Sequence, residues 1–271
     1  MRRTSTLDIF FEKLWENYIY LNPRAKQIYH QLTNRENEVI NDHIALRTFS
    51  HPRVNLDKIK KPFLDRGYIE KDHYNFKEKK LSAKYFQHPH DYYPKIFISE
   101  LLLSEFSSTL VQMVERLVEN ISFESAESLD FFTQNRPWSI SYKDYCTLHR
   151  ESNYAAWVSA FGFRANHFTV FVNALESFSD LRDLNSFLKD HGFKLNLSGG
   201  EIKGSKKVFL EQSSTLAEKV PIVFSDGTHS IPACYYEFAQ RYPLASGKLY
   251  QGFVPKSADK IFESTDNKRT L

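Results

Sequence analysis

Residues 41–49 read NDHIALRTF. The stretch reads as a buried strand, yet it carries a histidine and, four residues on, an arginine. Side chains alternate along a strand, so His43, Ala45 and Arg47 share one face and Ile44, Leu46 and Thr48 take the other. An imidazole and a guanidinium then stand side by side with only the small Ala45 between them. Residues 165–172, ANHFTVFV, read as a second such strand, with His167 near its start.

The segments after these two strands also repeat. NLDKIKKPFLDRGY reads as a helix after the first and SDLRDLNSFLKDHGF as a helix after the second. The endings PFLDRGY and SFLKDHGF echo each other, and Gly67 is suited to a helix C-terminal cap. His43 to Gly67 is 24 residues and His167 to Gly192 is 25. Pro62 lies inside the first helical pattern and shortens or kinks it. Three strand-like runs come next in each half. They are YIEKDHYNF, KLSAKYFQH and PKIFISELLL in the first, and KLNLSG, KKVFLEQSS and the run around IPACYYEFA in the second. The chain therefore reads as two diverged copies of one β-α-β-β-β unit.

The predicted class is α+β, with βαβββ modules over residues 41–103 and 164–271 that enclose one site. Residues 1–40 form a helical N-terminal extension. There Leu7, Phe10, Phe11, Leu14, Trp15, Tyr18 and Leu21 recur at helical spacing, Ser5 or Thr6 caps, and Pro23 lies beyond the end. A second helix covers Arg24 to Asn37. Residues 104–163 form a helical connection, opening with an amphipathic helix over Ser104–Ile121. The whole makes one integrated catalytic domain.

Composition bounds the function classes. At 271 residues, 41% hydrophobic and 25% charged, the chain suits one large domain or two joined modules. The net charge is only +3, and the basic runs KIKK (58–61) and KEKK (77–80) lack interleaved aromatics. They read as solvated faces, against nucleic-acid binding. No apolar run approaches the roughly 20 residues of a membrane helix, and the N-terminus lacks an uninterrupted apolar segment of the signal-peptide kind. Cys146 and Cys234 form no C-x-x-C motif, so a reduced, cytoplasmic setting is expected.

Taken singly, His43 or His167 reads as a buried structural histidine. Their equivalent positions in two copies change that, because pairing of the two first strands brings both imidazoles to one point. Glu237, in CYYEFAQR on the last strand of the second copy, is the third candidate. Two histidines and a carboxylate form the facial triad of non-haem Fe(II) enzymes, although Zn or Mn also suits these donors. Glu100, in FISEL, is the rough counterpart of Glu237 in the first copy and a candidate replacement or fourth ligand. His88 and His90 (QHPHD) read as loop histidines and LSGGEIKG as a hairpin turn. Cys146 and His149 lack a third orienting group for nucleophilic chemistry. The chain has no H-E-x-x-H, G-x-S-x-G, P-loop or G-x-G-x-x-G.

Paired β-α-β-β-β units with ligands on facing strands resemble the vicinal oxygen chelate superfamily. The segments DHIALRTF, KIFISEL, NHFTVFVN, LEQSSTLAEKV, IPACYYEFAQRYP and LYQGFVPKSADKIFEST resemble, in order, the 2-oxoadipate dioxygenase/decarboxylase (2-hydroxyglutarate synthase) family, long catalogued as a domain of unknown function. The resemblance runs from about residue 40 to the end. It implies His43, His167 and Glu237 as iron ligands and Arg47 as the arginine for a substrate carboxylate. It also implies an Fe(II) enzyme converting 2-oxoadipate, or a similar 2-oxo dicarboxylic acid, with O2 to 2-hydroxyglutarate and CO2 in lysine breakdown. Arginine suits that role because its planar, permanent charge matches a carboxylate; the other reading pairs Arg47 with a structural acid. Gln212, Ser213 and Ser214 are candidate pocket residues, as is Arg241, one turn beyond Glu237 if the strand passes into a helix. Two other readings remain: an isomerase or hydrolase using Zn, Ni or Mn, and a metal-free small-molecule binding module. Both copies lie in one chain, so no dimer is needed to complete the site, and oligomeric state stays open.

Overall fold

The computed structural model describes residues 5–265. Its first helix, α1 (Thr6–Leu21), opens on a reciprocal cap: the Ser5 hydroxyl accepts from the Asp8 N–H, and the Asp8 carboxylate accepts from the Ser5 N–H. Asn22 ends α1 and caps α2 (Pro23–Thr33), whose first turn takes Pro23. The second helix stops at Thr33, short of the expected Asn37.

Strand β1 (Asn41–Phe49) comes next. The helical stretch after it is broken into α3 (Leu56–Ile59) and α4 (Lys61–Leu64), with Pro62 in the first turn of the second piece. Gly67, at φ 89°, turns the chain into β2 (Ile69–Phe76). The strands β3 (Leu81–Gln87) and β4 (Lys95–Leu101) complete the first unit. The connection holds α5 (Ser108–Val118), α6 (Phe123–Ala126), α7 (Tyr142–Glu151) and α8 (Asn153–Phe161). Helix α5 begins later than Ser104 because Ser107 caps it, accepting from the Leu110 N–H.

The second unit contains β5 (Ala165–Phe171), α9 (Leu181–Asp190), β6 (Lys203–Ser205) and β7 (Leu210–Ser214). A separate hairpin, β8 (Lys219–Phe224) and β9 (Gly227–Pro232), then precedes β10 (Tyr235–Arg241). Helix α10 (Pro255–Phe262) and a short turn at Glu263–Thr265 close the described chain.

The second unit departs from expectation in two places. KLNLSG is not a strand; it contributes only a bridge between Leu195 and Thr215. The strand of that copy is β6, which starts in the last two residues of LSGGEIKG, the segment read as a hairpin turn. Gly199 and Gly200 take left-handed backbone and carry the chain out of extended structure. The Lys203 amine then ties the loop down by donating to the Asn196 carbonyl at 2.5 Å. Gly204 belongs to β6 because any Cβ there would collide with the Leu210 carbonyl oxygen. The run around IPACYYEFA is likewise two elements, the end of β9 and the start of β10.

Eight strands form one sheet in the order β2-β3-β4-β1-β5-β10-β7-β6. Each unit thus runs first, fourth, third, second outward from the centre, where β1 meets β5 antiparallel. This is the paired-unit α+β architecture expected from the repeat. Aromatic side chains of α1 cover one face: Tyr18 and Trp15 lie with ring centroids 4.8 and 5.1 Å from Phe168. On the other face α10 contacts β6 and β7 from one unit and β2 from the other, bridging the two edges of the curled sheet.

Candidate metal centre

Register sets the site. Across β1 and β5, Ala45 pairs with His167 and His43 with Thr169. Across β5 and β10, which run parallel, His167 pairs with Tyr235 and Thr169 with Glu237. Side chains paired this way share a face, so His43, His167 and Glu237 converge from three adjacent strands. Glu237 Oε1 lies 3.6 Å from His43 Nε2, and Oε2 lies 3.2 Å from His167 Nε2. One ligand atom from each residue falls within 4.8 Å of the others. All three residues are buried.

The residue before each histidine fixes its tautomer. His43 Nδ1 donates to Asp42 Oδ1 at 2.8 Å, and His167 Nδ1 faces Asn166 Oδ1 at 3.1 Å. A carboxylate only accepts, so Nδ1 of His43 carries the proton and Nε2 presents its lone pair to the site. The Thr169 hydroxyl, 3.1 Å away, donates to that lone pair. Burial pushes both imidazoles below their ordinary pKa. Asp42 opposes this at His43, while the charges of His43 and Arg47 add to it at His167. Both rings are therefore neutral donors at neutral pH. Burial pushes the Glu237 carboxyl up to about 8, against the hydrogen bond from Gln212 that lowers it. Two neutral imidazoles and one carboxylate, buried around one point, fit a divalent transition metal with coordination positions left open.

Arg47 is buried beside this cluster. Its guanidinium lies over the rings of Tyr154 and Trp157, each at 5.0 Å, and of Phe262 at 5.8 Å. No carboxylate pairs with it among the described residues, and its Nε has no acceptor, so the structural-acid reading of Arg47 finds no partner. A cavity of about 180 Å³ reaches Arg47, Tyr154 and Phe262 from the surface. A second cavity, about 20 Å³, lies against His43, His167 and Glu237 and is also lined by Phe97, Phe253, Ile261 and Phe262. Phe262 lines both.

The other candidates divide. Gln212 joins the site, its Nε2 donating to Glu237 at 2.5 Å. Ser213 points away and donates to Asn185 of α9, while Ser214 meets Ser264 in the final turn. Arg241 does not lie a helical turn beyond Glu237, because β10 stays a strand through Arg241. Its guanidinium is occupied: Nε and one terminal nitrogen donate to Asp42 at 2.6 and 2.8 Å, and the other terminal nitrogen donates to the carbonyls of Tyr250 and Gly252. Glu100 accepts from the Leu56 N–H at the start of α3 and is outside the cluster. Phe97, which pairs with Ala45 two residues after His43, occupies the position equivalent to Glu237. His90 is exposed, while His88 is half-buried with its ring against Tyr68 and Tyr93. Asp42 escaped the sequence reading; its signal was the DH and NH dipeptides at matching points of the two copies.

A family model described as 2-oxoadipate dioxygenase/decarboxylase matches residues 13–250. The chain belongs to this family. Its members carry the name of an oxidative, decarboxylating enzyme. The rice 2-oxoadipate dioxygenase/decarboxylase, chloroplastic/amyloplastic, is 36% identical over 295 residues, covering 96% of this chain and 80% of that protein. The crystal structure of rice hydroxyglutarate synthase in complex with 2-oxoadipate superposes with TM-score 0.86 at 33% identity, covering 96% of this chain and 92% of the other. A Shewanella frigidimarina protein, provisionally designated a hydrolase, superposes with TM-score 0.88 at 47% identity over 93% of this chain and 99% of its own. No helix among the described residues is long and apolar enough to cross a membrane.

Proposed function

We propose that the protein is an Fe(II)-dependent dioxygenase that converts 2-oxoadipate, or a close 2-oxo dicarboxylic acid, with O2 to 2-hydroxyglutarate and CO2, a step of lysine breakdown. The observation that carries this reading is a buried His43–His167–Glu237 cluster beside a buried arginine that no acid among the described residues neutralises. Iron bound there supplies the dioxygen chemistry and open positions for a chelating 2-oxo acid. The chain supplies geometry and charge. Asp42 and Asn166 hold the two imidazoles in the donor tautomer. Gln212 orients the Glu237 carboxylate. Arg47 receives the far carboxylate of the substrate, its guanidinium held among the rings of Tyr154, Trp157 and Phe262. The electron balance closes without an added reductant: oxidative decarboxylation and hydroxylation of the shortened chain each supply two electrons to O2.

Rice hydroxyglutarate synthase holds 2-oxoadipate in its crystal structure, which supports this substrate class here. Two free thiols, Cys146 and Cys234, are consistent with a reducing, cytoplasmic setting. The hydrolase designation of the Shewanella protein favours a second reading, Lewis-acid chemistry with Zn, Ni or Mn. Oxygen decides between them. Purified, Fe(II)-reconstituted protein given 2-oxoadipate should consume O2 and release CO2 in equal amounts. Turnover without oxygen and without CO2 would establish the second reading. Binding of the oxo acid undiminished by a chelator would replace both with a metal-free binding module.

A further inference from the structure

Tyr235 stands against the metal cluster without belonging to it. It pairs with His167 across the β5–β10 ladder and shares the face of Glu237, two residues on. Its ring stacks on His167, with centroids 4.6 Å apart and planes at 25°. The side chain is fully buried, and its O–H finds no acceptor among the described residues. Buried hydroxyls nearly always donate as well as accept, so the unused proton calls for an acceptor. The hydroxyl oxygen lies within reach of the Arg47 guanidinium, which donates to it, and the charges of Glu237 and Arg47 both act on it. Arg47 in turn has a buried Nε without an acceptor and is walled by the rings of Tyr154 and Trp157. Two neighbouring groups beside the proposed ligands, the Arg47 Nε–H and the Tyr235 O–H, therefore lack an acceptor among the described residues.

The adjacent residue gives the contrast. Tyr236 also buries an unpartnered hydroxyl, but on the other face of β10, among the rings of Trp15, Tyr18 and Phe238. No cation accompanies it, so nothing there selects an anion.

We infer that Tyr235 is a specificity-determining residue: its hydroxyl and the Arg47 guanidinium together receive the far carboxylate of a 2-oxo dicarboxylic acid whose oxo-acid end faces His43, His167 and Glu237. The inference rests on the function proposed above and deepens it. A single carboxylate can accept from a guanidinium and a hydroxyl at once. A substrate lacking that carboxylate leaves the buried Arg47 Nε–H and Tyr235 O–H without an acceptor, the arrangement that gives an enzyme its strongest discrimination.

The test compares 2-oxoadipate with 2-oxohexanoate, the same chain without the far carboxylate, using Tyr235→Phe and, as control, Tyr236→Phe. In Tyr235→Phe, kcat/KM for 2-oxoadipate should fall roughly 10- to 100-fold, mainly through KM, as expected for losing a hydrogen bond to a charged group. Turnover of 2-oxohexanoate should change little, and the preference between the acids should shrink by the same factor. Tyr236→Phe should keep the wild-type preference. Anaerobic calorimetry of both acids on the iron-loaded proteins reads the preference without catalysis. If the wild type binds the dicarboxylate selectively but does not turn it over, and Tyr235→Phe loses that selectivity, the reaction fails and the subsite stands. An unchanged preference in Tyr235→Phe overturns the inference. Equal weakening of both acids overturns it too, because Tyr235 would then act only by supporting His167.

Discussion

Asp42 holds its histidine by a chain of charge that ends outside the site. Arg241 grips both carboxylate oxygens of Asp42 and, with its remaining nitrogen, the carbonyls of Tyr250 and Gly252. The Arg241 charge keeps the Asp42 carboxyl well below its usual range although burial pushes the other way. Asp42→Asn keeps the shape and an acceptor for His43 Nδ1 but removes the negative charge that makes His43 a stronger donor to the metal. Metal affinity should fall roughly 10- to 100-fold, read by competition against a chelator of known strength. Unchanged affinity would mean that Asp42 serves only the Arg241 contact. The three proposed ligands were legible in sequence because duplication marked the histidines twice and a carboxylate sat on the last strand. Asp42 was not, since an acid beside a histidine is unremarkable until both are placed on β1. Glu100 misled because sequence counting cannot fix the register of β4 against β1; pairing puts Phe97 opposite Ala45.

Helix α10 forms one wall of the cavity at the cluster. It supplies Ala258, Ile261 and Phe262 to the metal cavity, whose 20 Å³ has room for about one water. The proposed six-carbon acid needs far more, so binding it there is expected to displace side chains of the lining, those of α10 among them. Phe262→Ala should join the metal cavity to the one at Arg47 and let a chelator strip bound metal several-fold faster, followed by stopped-flow absorbance. A rate equal to wild type would show that access runs elsewhere. The N-terminal extension is also more than a cover. The Tyr18 hydroxyl donates to the Tyr235 carbonyl at 2.5 Å, and Asn22 donates to that hydroxyl, so α1 steadies β10 at the site. Helices of this kind were readable from apolar spacing and caps. The β8–β9 hairpin was not, because its strands alternate weakly, Pro221 interrupts one of them, and nothing in the first copy corresponds to it.

At the scale of the molecule, the cluster stitches the two units together. His43 comes from the first and His167 and Glu237 from the second, so metal binding should reinforce the β1–β5 junction. The pH dependence comes from Glu237, whose carboxyl is raised from 4.5 to about 8. Between those values the folded, metal-free protein holds a proton that the unfolded chain releases. Its contribution to stability is full below 4.5 and lost as pH rises through 8. A metal ion replaces that proton, so its affinity should rise with pH up to about 8. Scanning calorimetry should show a larger increase in Tm on metal addition at pH 8 than at pH 6, and none with His167→Ala. An increase that shrinks with rising pH would contradict the direction given for Glu237.

The presence of Phe97 where symmetry would place a second carboxylate makes the centre lopsided. Every protein donor approaches from β1, β5 and β10, and the opposite side is hydrocarbon, with Phe97 and Phe253 in contact at 4.9 Å. A symmetric pair of acids would surround an ion and bar incoming molecules. Without such an acid that side is a greasy hemisphere, a surface that suits a nonpolar gas such as the proposed dioxygen better than it suits water.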